Sequence, residues 1–361
     1  MNILLTGGTG DVGRTTVARL VRNGHNVRVI GRRAYDELDH ERLGEIFSDG
    51  IEYVTCDIND YDALCDQVRG MEGIIHLAAI RQPMASPSQE IFRVNCSGTY
   101  NVFQAAAQEG IRKISCASSI NALGFNFGLV PFDIQYFPID EQHPTYTTDA
   151  YSFSKGVIEE IADYFWRREG ISSVNLRLPA VYEIGQEDTD IWRMFAGRFQ
   201  ETFREFAAQP KDEQRAGIER AVAKFDATRP ERAGYNPDYD MLARWHAMRE
   251  DPDLRLLVDG FGYSNFWASI DARDSAQALE KGLTADYSGS HPLFINDSEN
   301  AAGIDSEMLV QIFFPDVTVR THPLRGRETL VSIDKARALI GFEPEHHISN
   351  VTGDQVTTIA S

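Results

Sequence analysis

The sequence is poor in cysteine, in positive charge and in long apolar runs, and each shortage removes a class of protein. Its four cysteines, Cys56, Cys65, Cys96 and Cys116, show no CxxC or other metal-ligand spacing, so neither a zinc site nor a disulfide framework is indicated. They are expected to be reduced and mostly buried. Lysine and arginine number 35 against 54 aspartates and glutamates, a formal charge of −19 that repels polyanions. No local basic stripe offsets that field, so nucleic acid is not an expected partner. No segment approaches the roughly 18 uninterrupted apolar residues of a spanning helix. The opening Met1-Asn2-Ile3-Leu4-Leu5 lacks the basic region of a signal peptide. A cytoplasmic protein without a membrane partner is expected. The nine histidines form no metal motif, so no metal is expected. His346-His347 reads as a surface pair and His76 as a packed strand-end residue.

What is present is globular: 361 residues, 42% hydrophobic and 25% charged. That length suits one large core with a smaller substrate-binding lobe. Up to about residue 118, short apolar runs alternate with amphipathic segments, the pattern of strand-helix units in a parallel sheet. Strands are predicted at 2–6, 26–30, 51–55, 73–76, 113–117 and 173–178, and helices most clearly at 11–22, 88–108 and 149–169. Thr147-Thr148-Asp149 suits a helix N-cap. The fold class is α/β, a Rossmann-type doubly wound parallel sheet over residues 1–180. A smaller mixed α/β lobe over 181–361 follows, with the chain expected to cross between lobes more than once. Residues 187–250 read as a helical insertion divided by Pro210, Pro230 and Pro237. Its aromatics Trp192, Phe195, Phe199, Phe203 and Phe206 recur at helical spacing, which fits either a lid or interface element or ordinary core packing. A strand signal returns at Leu254–Val258. Beyond it, helices are predicted at 271–283, 304–313 and 333–340 and a strand at 293–296.

Thr6-Gly7-Gly8-Thr9-Gly10-Asp11-Val12-Gly13 follows a predicted strand and opens a predicted helix, the context a dinucleotide fingerprint requires. Gly7 permits the tight turn, Gly10 the approach of a pyrophosphate, and Gly13 close helix-strand packing. The helix N-terminus, entered at Asp11 and Val12, offers free amides. After strand two, where a carboxylate usually receives the adenosine ribose, stand Arg32 and Arg33. Guanidiniums suit a ribose 2′-phosphate, so NADP is slightly favoured over NAD; the alternative is two solvated side chains.

The chain resembles an extended short-chain dehydrogenase/reductase of the NAD-dependent epimerase/dehydratase type. TGGTGDVG at 6–13, CDIND at 56–60, HLAA at 76–79, VNCSGT at 94–99, ASS at 117–119, YSFSK at 151–155 and RLPAVY at 177–182 carry the resemblance, in the family's order. SIDARDSAQAL at 269–279 and IDKARALIGFEP at 333–344 extend it, and only 187–250 departs clearly. The resemblance implies that Asp57 and Ile58 flank the adenine and that Leu77, Ala78 and Ala79 line the cofactor cleft. It also implies that the segment from Pro179 through Val181 to Tyr182 approaches the nicotinamide.

Tyr151 and Lys155 lie four apart on a predicted helix, so they share a face, and an ammonium beside a phenol favours the phenolate. The resemblance gives Lys155 a second role on the nicotinamide ribose. Ser119, at a strand end, is expected to hydrogen-bond the substrate oxygen, with Asn121 beside it. Asn95 joins the catalytic set by resemblance, as the residue that positions the active-site helix and solvent. A family dehydratase would carry an acidic pair after the serine, whereas Ile120-Asn121 stand here, so elimination is disfavoured. Arg320, Arg325 and Arg327 fit a nucleotide-sugar pyrophosphate clamp, Arg325 foremost, or plain surface charge. Reversible hydride transfer at a secondary hydroxyl or ketone carbon of a sugar or sugar-like small molecule is therefore expected, in a homodimer. The alternatives are a redox-neutral sugar epimerase with tightly bound NAD and a non-catalytic dinucleotide-sensing regulatory protein.

Overall fold

The computed structural model describes residues 1–43, 51–183, 187–258 and 262–347. Strands β1 (Asn2–Thr6), β2 (Asn26–Gly31), β3 (Ile51–Thr55), β4 (Gly73–His76), β5 (Lys113–Ala117), β6 (Ser172–Arg177) and β9 (Ser290–Phe294) form one sheet in the order β3-β2-β1-β4-β5-β6-β9. Every pair is parallel. The order reverses between β1 and β4, and such a switch point opens a crevice at the carboxyl ends of the strands. A separate parallel pair joins β7 (Ala180–Tyr182) to β8 (Ser269–Asp271).

Alternation along the strands divides the core between two faces. Ile3 and Leu5 point to one side with Val27, Val29, Val174 and Leu293. Against them pack α1 (Asp11–Arg22) and α12 (Ala272–Thr284), which also pack on each other. Leu4, Ile74, Ile114 and Cys116 point to the other side. There they meet α3 (Tyr61–Val68), α5 (Gly98–Gln108) and α6 (Ala150–Glu169). Helix α6 starts where Asp149 accepts the Ser152 N–H at 2.8 Å and stops at Gly170 in the left-handed region. Both α12 and β9 come from beyond residue 180, so the second part of the chain completes the first part's sheet.

The helix predicted over 88–108 is interrupted. α4 (Ser88–Phe92) passes through one π-turn, Arg93–Ser97, before α5 begins. Short α2 (His40–Leu43) follows β2. The insertion comprises α7 (Glu187–Ala207), α8 (Lys211–Ala227), α9 (Arg229–Ala233) and α10 (Met241–Glu250). Phe199 and Phe203 are fully buried and stack near Phe313 of α13 (Ser306–Phe313), so this face of α7 packs into the core of the second lobe. The side chains of Trp192 and Phe195 lie outside those described. Leu254–Val258, predicted as a strand, is instead helix α11 (Pro252–Val258) packed on α8. An unbroken apolar run is equally compatible with a buried strand or helix, and here Leu254, Leu256, Leu257 and Val258 are all covered. After α14 (Asp334–Ile340), His346 and His347 are not a loose surface pair. Their Nδ1 atoms lie 2.8 Å from the buried carboxylates of Asp274 and Asp297, anchoring the segment after α14. Among the described residues no helix is long and apolar enough to cross a membrane.

His76 ties the sheet's centre together. Thr6 Oγ1 accepts the Leu77 and Ala78 N–H groups at 3.2 and 3.1 Å, so its own proton goes to His76 Nδ1 at 2.7 Å. Nε2 therefore carries the ring proton and donates to Thr99 Oγ1 at 2.9 Å, which donates to the Asn95 carbonyl. Burial pushes His76 down to about 3, with the Lys155 charge adding to the shift. A depressed folded value means that stability is fully present above the unfolded histidine's range near 6.5 and is lost as pH falls toward 3. Urea unfolding between pH 7 and 4 should show wild-type stability falling by up to ~1.4 kcal/mol per pH unit more steeply than that of His76→Gln. Parallel pH profiles for the two proteins would refute the assignment.

Candidate active site

A cleft of about 980 Å³ runs along the carboxyl ends of the strands. Its floor at one end is the turn between β1 and α1. Gly7 has φ +76°, and a Cβ there would stand 2.8 Å from the Ala78 nitrogen; a Cβ on Gly13 would collide with the Gly7 carbonyl. The glycines thus let α1 and the β4 end close together, leaving the α1 N-terminus, Gly10 to Val12, on the cleft wall. Arg32 and Arg33, exposed after β2, line the same end with Asp57 and Ile58. Among the described residues neither guanidinium has an ion-pair partner within 4 Å. Burial opposes the Asp57 charge, yet hydrogen bonds from Asn59 and the nearby Arg93 and Arg32 hold its carboxyl below the usual range.

Leu77, Ala78, Ala79, Pro179 and Val181 line the middle of the cleft, and Ser119, Asn121, Tyr151 and Lys155 its far end. Ser119 Oγ accepts from the Asn121 backbone N–H at 3.2 Å and its side-chain amide at 3.3 Å. Its own proton is then free to be donated toward the Tyr151 hydroxyl, whose ionised form Ser119 favours. Burial pushes Tyr151 up to about 12, with the Ser119 bond and the Arg81 charge working against the rise. This phenol therefore holds its proton through neutral pH. Lys155 is buried, donates to the Ala117 carbonyl at 2.8 Å, and sits 5.8 Å from the Tyr151 ring centre. Burial also lowers its affinity for a proton.

Two residues assigned to the site from sequence do not reach the cleft. Asn95 is fully buried behind it, in the π-turn. Its Oδ1 accepts the Ile80 N–H at 2.8 Å, and its Nδ2 donates to the Ile80 carbonyl and to Ser154 Oγ, each at 2.9 Å. Asn95 thus fixes α6 against the β4 loop from behind the cleft. Arg325 is exposed outside the cleft, in a turn whose Arg325 N–H meets the Glu328 carboxylate at 3.2 Å. Arg320 is paired with Glu307 and Arg327 with Glu299, so these arginines serve local structure.

Sequence reasoning missed Arg81, Gln82, Asn126, Phe127, Ser264 and Asn265, which also line the cleft, Arg81 reaching across to Asp11 at 3.2 Å. Arg81 and Gln82 follow the HLAA segment closely enough to have been found. Ser264 and Asn265 carry no local signal, because a buried left-handed pair, Phe266 and Trp267 at φ 55° and 51°, delivers them there from far along the chain.

A model of the NAD dependent epimerase/dehydratase family matches residues 3–207, more than half of the chain. The chain belongs to this family. Uronate dehydrogenase of Pseudomonas syringae pv. tomato is 29% identical over 178 residues, covering 49% of this chain and 58% of that protein. L-arabinose 1-dehydrogenase (NAD(P)(+)) of Haloferax volcanii is 30% identical over 184 residues, covering 49% and 65%. The chain thus spans about three-fifths of the length of these curated relatives. A UDP-glucose 4-epimerase structure from Thermotoga maritima with UDP-glucose superposes with a TM-score of 0.60 at 17% identity, covering 98% of this chain and 96% of that one. At that identity the likeness shows the epimerase/dehydratase fold alone.

The Asn95 geometry gives a stability test. Asn95→Ala would leave the part-buried Ile80 backbone groups without their side-chain partners and Ser154 without its donor. The cost should be about 1–3 kcal/mol. An unchanged urea midpoint would show that these bonds are dispensable.

Proposed function

We propose that the protein is a dinucleotide-dependent oxidoreductase that moves a hydride reversibly at a secondary hydroxyl or ketone carbon of a sugar or sugar-like substrate. The observation that carries this reading is the continuity of one cleft from the glycine turn to Ser119, Tyr151 and Lys155. A nicotinamide dinucleotide held there would accept or return the hydride. The α1 N-terminus suits its pyrophosphate, Asp57 and Ile58 its adenine, and the Pro179–Val181 wall its nicotinamide. Lys155, on the same cleft, would hold the nicotinamide ribose.

At the reacting carbon the protein moves a proton. In reduction, the protonated Tyr151 hydroxyl is the acid that supplies the new alcohol, and Ser119 donates to the same oxygen as charge develops. In oxidation, Tyr151 must act as a base, and burial alone sets it too high. Ser119 and the Arg81 charge favour the phenolate, and the Lys155 ammonium, 5.8 Å from the ring centre, would add to them. Ile120-Asn121 after the serine supply no carboxylate for elimination, in keeping with simple hydride transfer. Asn121 instead orients the Ser119 hydroxyl.

A redox-neutral epimerase with tightly held NAD needs the same three residues and is the second reading, favoured by the fold shared with UDP-glucose 4-epimerase. Denaturing the purified protein and identifying any released dinucleotide separates the two: retained NAD supports epimerisation, and an exchangeable cofactor supports net oxidation or reduction. A homodimer is also proposed. Phe92 stacks with Phe153 and Tyr100 with Tyr164 on exposed parts of α4, α5 and α6, a paired aromatic face suited to a second copy. A monomeric mass in light scattering would refute it.

Arg32 and Arg33, without an ion-pair partner among the described residues, favour NADP. A charge-assisted contact contributes about 1.5–3 kcal/mol, so replacing both with alanine should weaken NADP by roughly one to two decades and leave NAD nearly unchanged. A wild-type preference for NAD in the same titration would overturn the NADP assignment.

Tyr151→Phe should reduce turnover of a reactive sugar by about two to four decades while leaving the dinucleotide Kd unaltered. Lys155→Met should lower turnover and dinucleotide affinity together. Near-wild-type turnover in Tyr151→Phe would sink the proposed chemistry.

A further inference from the structure

The substrate end of the cleft is held from behind by two buried arginines of the insertion. Arg229 and Arg232, 3% and 7% exposed, lie on α9 with their guanidiniums turned to the loop between Phe125 and Gly128. Arg229 Nη1 donates to the Phe125 and Gly128 carbonyls at 3.0 and 2.8 Å, and Arg232 Nη1 to the Asn126 carbonyl at 2.7 Å. Among the described residues these three carbonyls have no other backbone donor. Three of four successive carbonyls therefore face away from the substrate space, which leaves the loop one orientation.

The two guanidiniums are not equivalent. Arg229 is paired with Asp226 at 2.7 Å. Arg232 has no carboxylate partner within 4 Å among the described residues. Its Nε donates to Thr228 Oγ1 at 2.9 Å, its Nη2 to the Phe225 carbonyl at 3.3 Å, and its plane lies 4.0 Å over the Phe225 ring. Burying a cation without a carboxylate in direct contact is costly, so a set of neutral acceptors arranged around one signals a constraint beyond stability. Burial, with Arg229 adding to it, pushes Arg232 down to about 10, which leaves it cationic at neutral pH.

The loop so held contributes two side chains to the cleft, Asn126 and Phe127. The Phe127 ring stands edge-on to Tyr151, with centres 5.9 Å apart. Asn126 Oδ1 lies 3.4 Å from Arg232 Nη1, so the cation draws the amide oxygen toward the insertion. The same insertion reaches the other wall, where the Asn236 N–H donates to the Met84 carbonyl at 3.2 Å, two residues beyond cleft-lining Gln82.

We propose that Arg232, seconded by Arg229, is a specificity-determining positioning residue that turns the Asn126 amide into a fixed donor for a substrate oxygen. The inference rests on the hydride-transfer reading above and adds the chemistry of the recognised group. It is a hydrogen-bond acceptor, the hydroxyl or carboxylate oxygen of a sugar or sugar acid, a few ångströms from the reacting carbon. The helical insertion then acts on specificity through the loop it braces.

The test compares Arg232→Met, Arg232→Lys, Asn126→Ala and the Arg232→Met/Asn126→Ala double variant, using the full chain with its dinucleotide and a sugar it turns over. Arg232→Met and Asn126→Ala should each raise KM for the sugar by about tenfold or more, with kcat within about threefold and dinucleotide Kd unchanged. The double variant should be no worse than the poorer single one, because both remove one interaction. Arg232→Lys keeps the charge without the fork and should fall between wild type and Met. An unchanged KM in Arg232→Met, or additive losses in the double variant, would overturn the proposal. Should Arg232→Met fail to fold, Asn126→Ala and Arg232→Lys carry the same comparison. If no sugar is turned over, the functional reading fails, and hydrogen exchange on the dinucleotide complex still reads the brace. Arg232→Lys should speed exchange in residues 124–128 about tenfold and leave β4 alone, and equal exchange there would overturn it.

Discussion

Holding a lysine ammonium out of water at the carboxyl edge of a parallel sheet is the constraint around which this site is built. Lys155 survives there because its Nζ meets the Ala117 carbonyl as β5 ends, and because the next turn of α6 carries Glu159. Glu159 is itself committed, receiving Ser118 Oγ at 2.7 Å and both Nε and Nη2 of buried Arg177 at 2.9 and 2.8 Å. Removing one member of such a buried pair typically costs about 3–5 kcal/mol. Helix α6 is thereby fixed to the ends of β5 and β6 by charge, while Asn95 fixes it to the β4 loop through Ser154. Tyr151, one turn before Lys155, inherits that precision without making a structural bond of its own to the sheet.

The two ends of the cleft obey different rules. The dinucleotide end is assembled from short turns that leave adjacent parallel strands, so its shape follows from strand order and from glycines that admit close backbone approach. The substrate end draws on the 81–82 turn, the 125–128 loop and the 264–265 segment, whose positions depend on the insertion and on a left-handed bend. On the proposed function, chemistry and cofactor binding belong to the sheet, and discrimination between substrates to what is packed beside it.

That division explains what could be read from the sequence. The glycine turn, the Tyr151/Lys155 spacing and the strand-end placement of Ser119 are local patterns with a direct physical meaning, and the structure brings all of them to one cleft. Asn95 was legible as a residue near the site but not as a buried one, because the π-turn that rotates it inward leaves no mark in the hydrophobic period. Arg325 was misplaced because a charged residue in a late turn looks alike whether it faces a ligand or solvent. Arg229 and Arg232 carry no mark in the sequence that separates them from helix-surface charge, since only tertiary packing buries them. Leu254–Val258 failed for a related reason: without alternation, a short covered run does not distinguish the two secondary structures.

The return of the chain to close its own sheet bears on how the protein is made. Strand β6 ends at Arg177, and its partner β9 begins only at Ser290. Helix α12, which covers one face of α1, is likewise synthesised some 250 residues after it. At a synthesis rate of about 5–20 residues per second, the apolar edge of β6 waits on the order of ten seconds on the ribosome before its neighbour exists. Through that interval the nascent sheet presents an unpaired strand and a bare hydrophobic helix face, the two features that most invite misassociation. The arrangement that lets one continuous sheet serve both lobes therefore makes the nascent chain a natural client for chaperones until its last third has emerged.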